Sequence, residues 1–165
     1  MALTATSALW FLPFVLPLCF YAAFTDLAHM KITNQTVVVL ALVFVIVGPF
    51  AMPDFETYLW RLAQLGIMLV LGIALNAIGA MGAGDAKFIA AAAPFVAAGD
   101  LRLIMALLAA TLLAAFATHR LARATRLRRL APDWASWEQT KKFPMGLALG
   151  MTLALYLIFG AFNGA

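Results

Sequence analysis

Long stretches without a charged side chain constrain this chain more than any other feature of its sequence. Residues 1–25 contain no Asp, Glu, Lys or Arg, and five further uncharged stretches follow. A helix needs about 20 mostly apolar residues to cross the hydrocarbon core of a bilayer. With 65% apolar and 11% charged residues, the chain also lacks the polar surface that a water-soluble domain requires. The sequence therefore predicts an all-α, polytopic integral membrane protein.

The uncharged stretches predict about six transmembrane helices in a single membrane-embedded domain, residues 1–165. The fourth stretch, Phe88–Gly99, is short, since its 12 residues rise only about 18 Å as a helix. We expect its helix either to begin earlier, near Gly84, or to lie partly below the membrane surface. The approximate predicted spans are residues 7–25, 34–52, 60–80, 85–99, 102–118 and 143–163.

The basic residues indicate how the chain is oriented. With six spans, three connections fall on one side: Asp26–Lys31, the segment around Asp85–Lys87, and a loop at 119–142. These connections hold nine of the 11 Lys and Arg residues, so the positive-inside rule places them in the cytoplasm and both termini outside. We expect the basic loop 119–142 to bind anionic lipid headgroups rather than nucleic acid. The single cysteine, Cys19, leaves no Cys pair for a disulfide or a zinc site.

Two of the seven acidic residues stand where a carboxylate is costly. Asp26 closes the first uncharged stretch, and Asp85 lies between the third and the fourth, at the same predicted membrane boundary. Carboxylates at the hydrocarbon edge are rare without a function. Taken alone, each residue is as readily explained as an interfacial residue or a helix cap. Their position on one side, each within a distinctive motif, favours a shared site.

Each acid belongs to a short motif. Asp85 lies in Gly82-Ala83-Gly84-Asp85-Ala86-Lys87, where two glycines allow the backbone to approach a neighbour closely. Asp26 is followed eight positions later by Asn34, which we expect to cap the next helix.

These two motifs together resemble the signature of the prepilin peptidases, the membrane-embedded aspartyl proteases of the type IV leader peptidase family. The family pattern is an Asp at the cytoplasmic end of the first helix, then Ile-Pro-Asn, and later Gly-x-Gly-Asp with a Lys two residues on. Ile32 matches this pattern, whereas Thr33 takes the position of the usual Pro. The resemblance implies that Asp26 and Asp85 are catalytic. It implies supporting or substrate-positioning roles for Gly82, Gly84, Lys87, Asn34, Pro144 and Gly146.

The resemblance also implies a function. A prepilin peptidase removes the short basic leader of a type IV pilin-like precursor at the cytoplasmic face of the bacterial inner membrane. It cuts after a Gly, and its two aspartates activate water without a metal or a cofactor. Larger members carry an additional methyltransferase region with paired cysteines, which this sequence lacks. We therefore expect a short, peptidase-only protein similar to those that serve Flp/Tad pili, and we expect it to be a monomer.

Other interpretations remain open at this point. Paired intramembrane acids also mark ion pathways, so the alternative function is a small proton-coupled carrier or channel subunit. A catalytically inactive scaffold is a third possibility, although both acids are present. His29 is best explained as an interfacial loop residue. Lys87 is explained equally well as a substrate-positioning residue or as a basic residue at the membrane boundary. The Gly-x-x-x-Gly formed by Gly146 and Gly150 predicts close helix packing within the monomer.

Overall fold

A computed structural model describes residues 1–139 and 143–164. Within these ranges the chain forms six α-helices and four short 3₁₀ segments, with no β-strand, which confirms the all-α prediction. Lys141 and Lys142, two of the basic residues counted in the loop 119–142, lie outside the described residues. The helices are α1 (Ala5–His29), α2 (Asn34–Ala51), α3 (Phe55–Ala77), α4 (Ala83–Ala92), α5 (Leu101–Ala124) and α6 (Met145–Asn163).

Five of these helices, all except α4, are long and apolar enough to cross a membrane. The fourth predicted span, 85–99, differs most from the structure. Its helix begins earlier, at Ala83, but α4 has only 10 residues and therefore rises about 15 Å. The 3₁₀ segments Ala93–Phe95 and Ala98–Asp100 continue the chain to α5. Both α1 and α5 extend several residues beyond their predicted spans.

The helix breaks after α4 for a local reason, and side chains from another helix supply the hydrogen bonds that the break removes. Pro94 has no backbone N–H and cannot continue an α-helix, so carbonyl groups around it lose their helical partners. Such groups need other donors inside a membrane. Arg61 of α3 donates to the Pro94 carbonyl at 3.4 Å. The side-chain amide of Gln64 is oriented so that its oxygen and its nitrogen both face suitable hydrogen-bonding groups. In this orientation the nitrogen donates to the carbonyls of Ala93 and Val96 at 3.1 and 3.2 Å. Two polar side chains of α3 therefore stabilise the break.

The longest packing interface joins α1 and α6. A Cβ at Gly150 would lie 2.6 Å from the Cys19 carbonyl oxygen, and a Cβ at Gly160 would lie 2.8 Å from Leu3. Only glycine permits so close an approach, which holds the two helices together through backbone contact. This confirms the close packing predicted from Gly146-x-x-x-Gly150.

An aromatic core joins the first two helices to the break after α4. Phe11 of α1 stacks on Phe44 of α2 with 5.6 Å between ring centroids. Phe95 meets both rings edge-on, at 4.9 and 5.3 Å. All three side chains are fully buried, so this cluster holds the chain after α4 against α1 and α2.

The bundle has two distinct ends. At one, here called the Asp100 end, the Asp100 carboxylate accepts hydrogen bonds from the amides of Ala2 and Leu3, at 2.8 and 3.1 Å, and from the Tyr156 hydroxyl, at 2.8 Å. The opposite, Asp26 end contains the last turn of α1. The α1–α2, α3–α4 and α5–α6 connections all lie there, as the alternating helix directions require. The chain from α4 to Asp100 therefore runs the whole length of the bundle.

Candidate active site

Asp26 lies in the last turn of α1, against the beginning of α6. Its side chain is buried, and Oδ2 accepts a hydrogen bond from the Gly146 amide at 2.6 Å. A Cβ at Gly146 would lie 2.8 Å from the Cβ of Asp26 and 3.0 Å from its Oδ2, so a side chain here would displace the carboxylate. Pro144, which is fully buried, directly precedes α6. The helix N-terminus carries a partial positive charge, which stabilises an ionised carboxylate at this position.

Asp85 lies in the first turn of α4, outside the five candidate spans, and is half-buried. Gly82 is the N-cap of this helix, and a Cβ there would lie 2.7 Å from Oδ2 of Asp85. The absence of a side chain at Gly82 therefore leaves room for the carboxylate. Gly84 differs, because a Cβ at that position would make an ordinary 3.6 Å contact with Ile32. Of the two motif glycines, Gly82 is the one with a steric reason to be glycine.

The two carboxyl groups line one cavity at the Asp26 end, with a volume of about 410 Å³. Burial, and to a lesser extent the negative charge of Asp26, raises the pKa of Asp85 to about 6. Two acids within electrostatic reach resist simultaneous ionisation, so one of them keeps its proton to a higher pH than an isolated carboxyl would. Such a pair can supply a general base and a general acid together.

The side chains of Lys87 and Asn34 contact each other and do not line the cavity. The Lys87 Nζ donates to the Asn34 side-chain oxygen at 3.1 Å, which joins α4 to the start of α2. Neither residue lines the cavity that contains the two acids. The prediction that Asn34 caps α2 is wrong by one residue. Thr33, at the position where the family usually has Pro, is the N-cap and accepts from the Thr36 amide at 3.2 Å.

Several residues of the cavity wall were not predicted from the sequence. Met30 adopts a left-handed backbone conformation with φ of 54°, and its amide donates to the Asp26 carbonyl, so the helix ends one turn after the acid. His29, one residue earlier, is exposed and does not line the cavity. Proximity to the motifs was the only available signal for the missed residues. They are Met30, Lys31, Ala83, Phe143 and Met145.

The connection between α5 and α6 forms an aromatic cluster beside the cavity. Trp137 stacks between His119 and Trp134, with centroids 4.9 and 5.6 Å away. Trp134 meets Phe24 of α1 edge-on at 6.1 Å, and His119 meets Phe143 at 6.0 Å. Because Phe143 also lines the cavity, this cluster fixes one wall of the site. The sequence predicts this segment only as a basic loop.

Comparison with protein families gives one match. The model of the type IV leader peptidase family matches residues 13–119, nearly two thirds of the chain. The matched range includes Asp26 and Asp85 with both motifs, and it ends before Pro144 and Gly146. Comparisons with curated proteins and with solved structures found no match.

Proposed function

The chain belongs to the type IV leader peptidase family, and we propose that it is an intramembrane aspartyl endopeptidase that removes the short basic leader from type IV pilin-like precursors. One observation carries this proposal: Asp26 and Asp85, far apart in sequence, line the same cavity at one end of an otherwise apolar bundle. The acids lie at a single end and not midway along the bundle, where a proton carrier would need them.

The mechanism follows from a pair of carboxyl groups that share one proton. The ionised partner accepts a proton from a water molecule as the water oxygen attacks the scissile carbonyl carbon. The protonated partner donates to the carbonyl oxygen, which forms a neutral tetrahedral intermediate. Its collapse breaks the C–N bond. The carboxyl that gained the proton from water transfers it to the leaving amine, and the other carboxylate takes back a proton from one hydroxyl of the intermediate, which leaves the acid product and restores the starting pair.

The surroundings of the two acids distinguish their roles. Asp26 accepts the Gly146 amide hydrogen bond at the N-terminus of α6, and both features stabilise its anion against the opposing effect of burial. Asp85, whose pKa is raised to about 6, is the better holder of the shared proton. We therefore assign water activation to Asp26 and carbonyl protonation to Asp85. Gly82, Gly84, Pro144 and Gly146 shape the site, and Lys87 with Asn34 hold α4 against α2.

The cellular setting belongs to the same proposal. The Asp26 end faces the cytoplasm of a bacterial cell, and both termini lie outside, which follows from the basic residues in its connections. A basic leader then reaches the acids from the cytoplasm, and cleavage falls after its terminal Gly. Exposed basic residues of the 119–142 loop contact anionic lipid headgroups. The precursor would be a pilin of the Flp/Tad type.

The proposal is tested by co-expression with a type IV pilin-like precursor, with leader removal followed by gel shift. Asp26→Asn and Asp85→Asn should each slow processing by about 10²–10⁴-fold, since each removes a general acid or base. Asp133→Asn is the control, because Asp133 is an exposed acid of the α5–α6 connection that does not line the cavity. Processing that survives either cavity substitution would refute the mechanism. Proton flux through purified protein in vesicles, without cleavage, would favour the carrier.

A further inference from the structure

We propose that an apolar groove between α3 and α5 binds the substrate's apolar helix, the segment that directly follows the scissile bond. This inference rests on the proposed function and adds a binding surface to it. The groove has a volume of about 350 Å³, and its walls come from α3, α4, α5 and α6.

The groove opens sideways, towards the surface that faces lipid. In the part of the chain that the structure describes, α3 and α5 share almost no contact, so nothing closes the space between them. Its two edges are exposed apolar side chains, Ile67 of α3 at 53% and Met105 of α5 at 56%. A helix that lies in the membrane can therefore enter the groove by lateral movement.

The floor of the groove suits a helix. It is formed partly by Ala92, Ala93 and Ala97, around the break after α4. Small side chains allow two helices to approach closely within a membrane, where close packing supplies much of the association energy. Gln64 also lines the groove, but its amide group is occupied by the carbonyls of the break.

Continuity with the catalytic cavity identifies the occupant. On α4 the cavity is lined by Asp85, and the groove by Phe88 and Ile89, one turn further along. On α6 the cavity is lined by Met145 and the groove by Leu149, again one turn further. A chain that leaves the two acids along these helices passes from a polar cavity into an apolar groove. That order matches a precursor in which a polar leader, the scissile bond and an apolar helix follow one another.

Cross-linking tests the position of the substrate helix. The full-length chain carries Asp85→Asn to leave the substrate uncut, together with Met105→Cys. The substrate probe is a precursor with a basic leader ending in Gly and an apolar helix of about 20 residues, with single cysteines placed along that helix. Ala106→Cys is the matched control, since Ala106 is exposed at the same depth but does not line the groove. The chain with only Cys19, which is buried, gives the background.

We expect cross-links from Met105→Cys to exceed those from Ala106→Cys at least fivefold. Equal yields at the two positions would overturn the groove proposal. In a cleavage assay, Met105→Trp should slow processing of the same precursor at least fivefold, whereas Leu113→Trp, on the exposed lipid face of α5, should not. Normal processing by Met105→Trp would also overturn the groove proposal. If the unmodified chain does not cleave the precursor, the proposed function is wrong, and the proposal that the groove binds the substrate helix fails with it.

Discussion

Replacement of Gly146 by alanine tests whether the contact between α6 and Asp26 positions the reactive carboxylate. The added Cβ would lie 2.8 Å from the Asp26 Cβ and 3.0 Å from its Oδ2. Either the two helices separate or the carboxylate moves, and both changes weaken the 2.6 Å hydrogen bond from the Gly146 amide. A hydrogen bond to a charged group contributes about 1.5–3 kcal/mol. Its loss in the reactive state corresponds to roughly a 10- to 150-fold fall in kcat/KM.

The control is the same substitution at the other end of the same interface. A Cβ at Gly160 would lie 2.8 Å from Leu3 and 3.1 Å from Ala8, about 21 Å along α6 from Gly146. Overpacking costs about 1–3 kcal/mol, and the helix preference of alanine over glycine offsets about 1 kcal/mol. We therefore expect Gly146→Ala and Gly160→Ala to destabilise the fold by similar amounts, about 0–2 kcal/mol.

Cleavage of a pilin-like precursor by purified protein, corrected for the folded fraction, provides the assay. Thermal unfolding in the same detergent gives the stability of both variants. Gly160→Ala should cleave at close to the normal rate, and Gly146→Ala should not. Equal losses of activity in the two variants would show that the α1–α6 interface matters only for stability. Full activity in Gly146→Ala would show that the amide hydrogen bond does not position Asp26.

Three further predictions follow from the same geometry. In Gly82→Ala the new Cβ would lie 2.7 Å from the Asp85 Oδ2, so we expect the cleavage rate to fall about tenfold. In Gly84→Ala the new Cβ would make only an ordinary contact, so the rate should change less than twofold. Equal effects in the two variants would contradict this steric argument. Because the Asp85 pKa is raised to about 6 and this acid is active when protonated, kcat/KM should fall as pH rises through 6, by about tenfold per unit above it. A rate that stays constant between pH 6 and 8 would contradict this prediction. Asp100→Asn should lower the free energy of unfolding by about 1–3 kcal/mol, because the Asp100 carboxylate accepts hydrogen bonds from two amides and the Tyr156 hydroxyl. The folded fraction of this variant should cleave normally. An unchanged unfolding midpoint would contradict the prediction.

The structural features that could be predicted from the sequence are those that depend on local composition. Uncharged stretches long enough to cross a bilayer leave helices as the only practical structure, so the five long helices could be predicted from their positions alone. The two acids could be predicted because a carboxylate at a membrane boundary has few ordinary explanations. Alternating helix directions then place Asp26 and Asp85 at one end of the bundle.

The parts that could not be predicted depend on contacts between residues distant in the chain. In the sequence, Asp100 is simply a charged residue between two uncharged stretches, but in the structure its partners are the first residues of the chain and Tyr156 of α6. In the sequence, Arg61 simply precedes an uncharged stretch, but in the structure its side chain is buried and contacts the carbonyl of Pro94. The cap of α2 shows a local limit, since Thr33 and Asn34 are both good cap residues. Only the backbone conformation decides between them.

The break after α4 connects these distant contacts to the site. An uninterrupted helix from Ala83 to Asp100 would run the length of the bundle and would need no polar neighbour on α3. Because Pro94 interrupts it, Arg61 and Gln64 must supply donors from α3, and those contacts hold α3 beside the 3₁₀ segment while α5 stays apart. The same interruption therefore opens the groove that leads away from Asp85. In this arrangement the width of the groove depends on those hydrogen bonds, so substitutions at Gln64 should affect cleavage of precursors with a long apolar helix more than cleavage of short leader peptides.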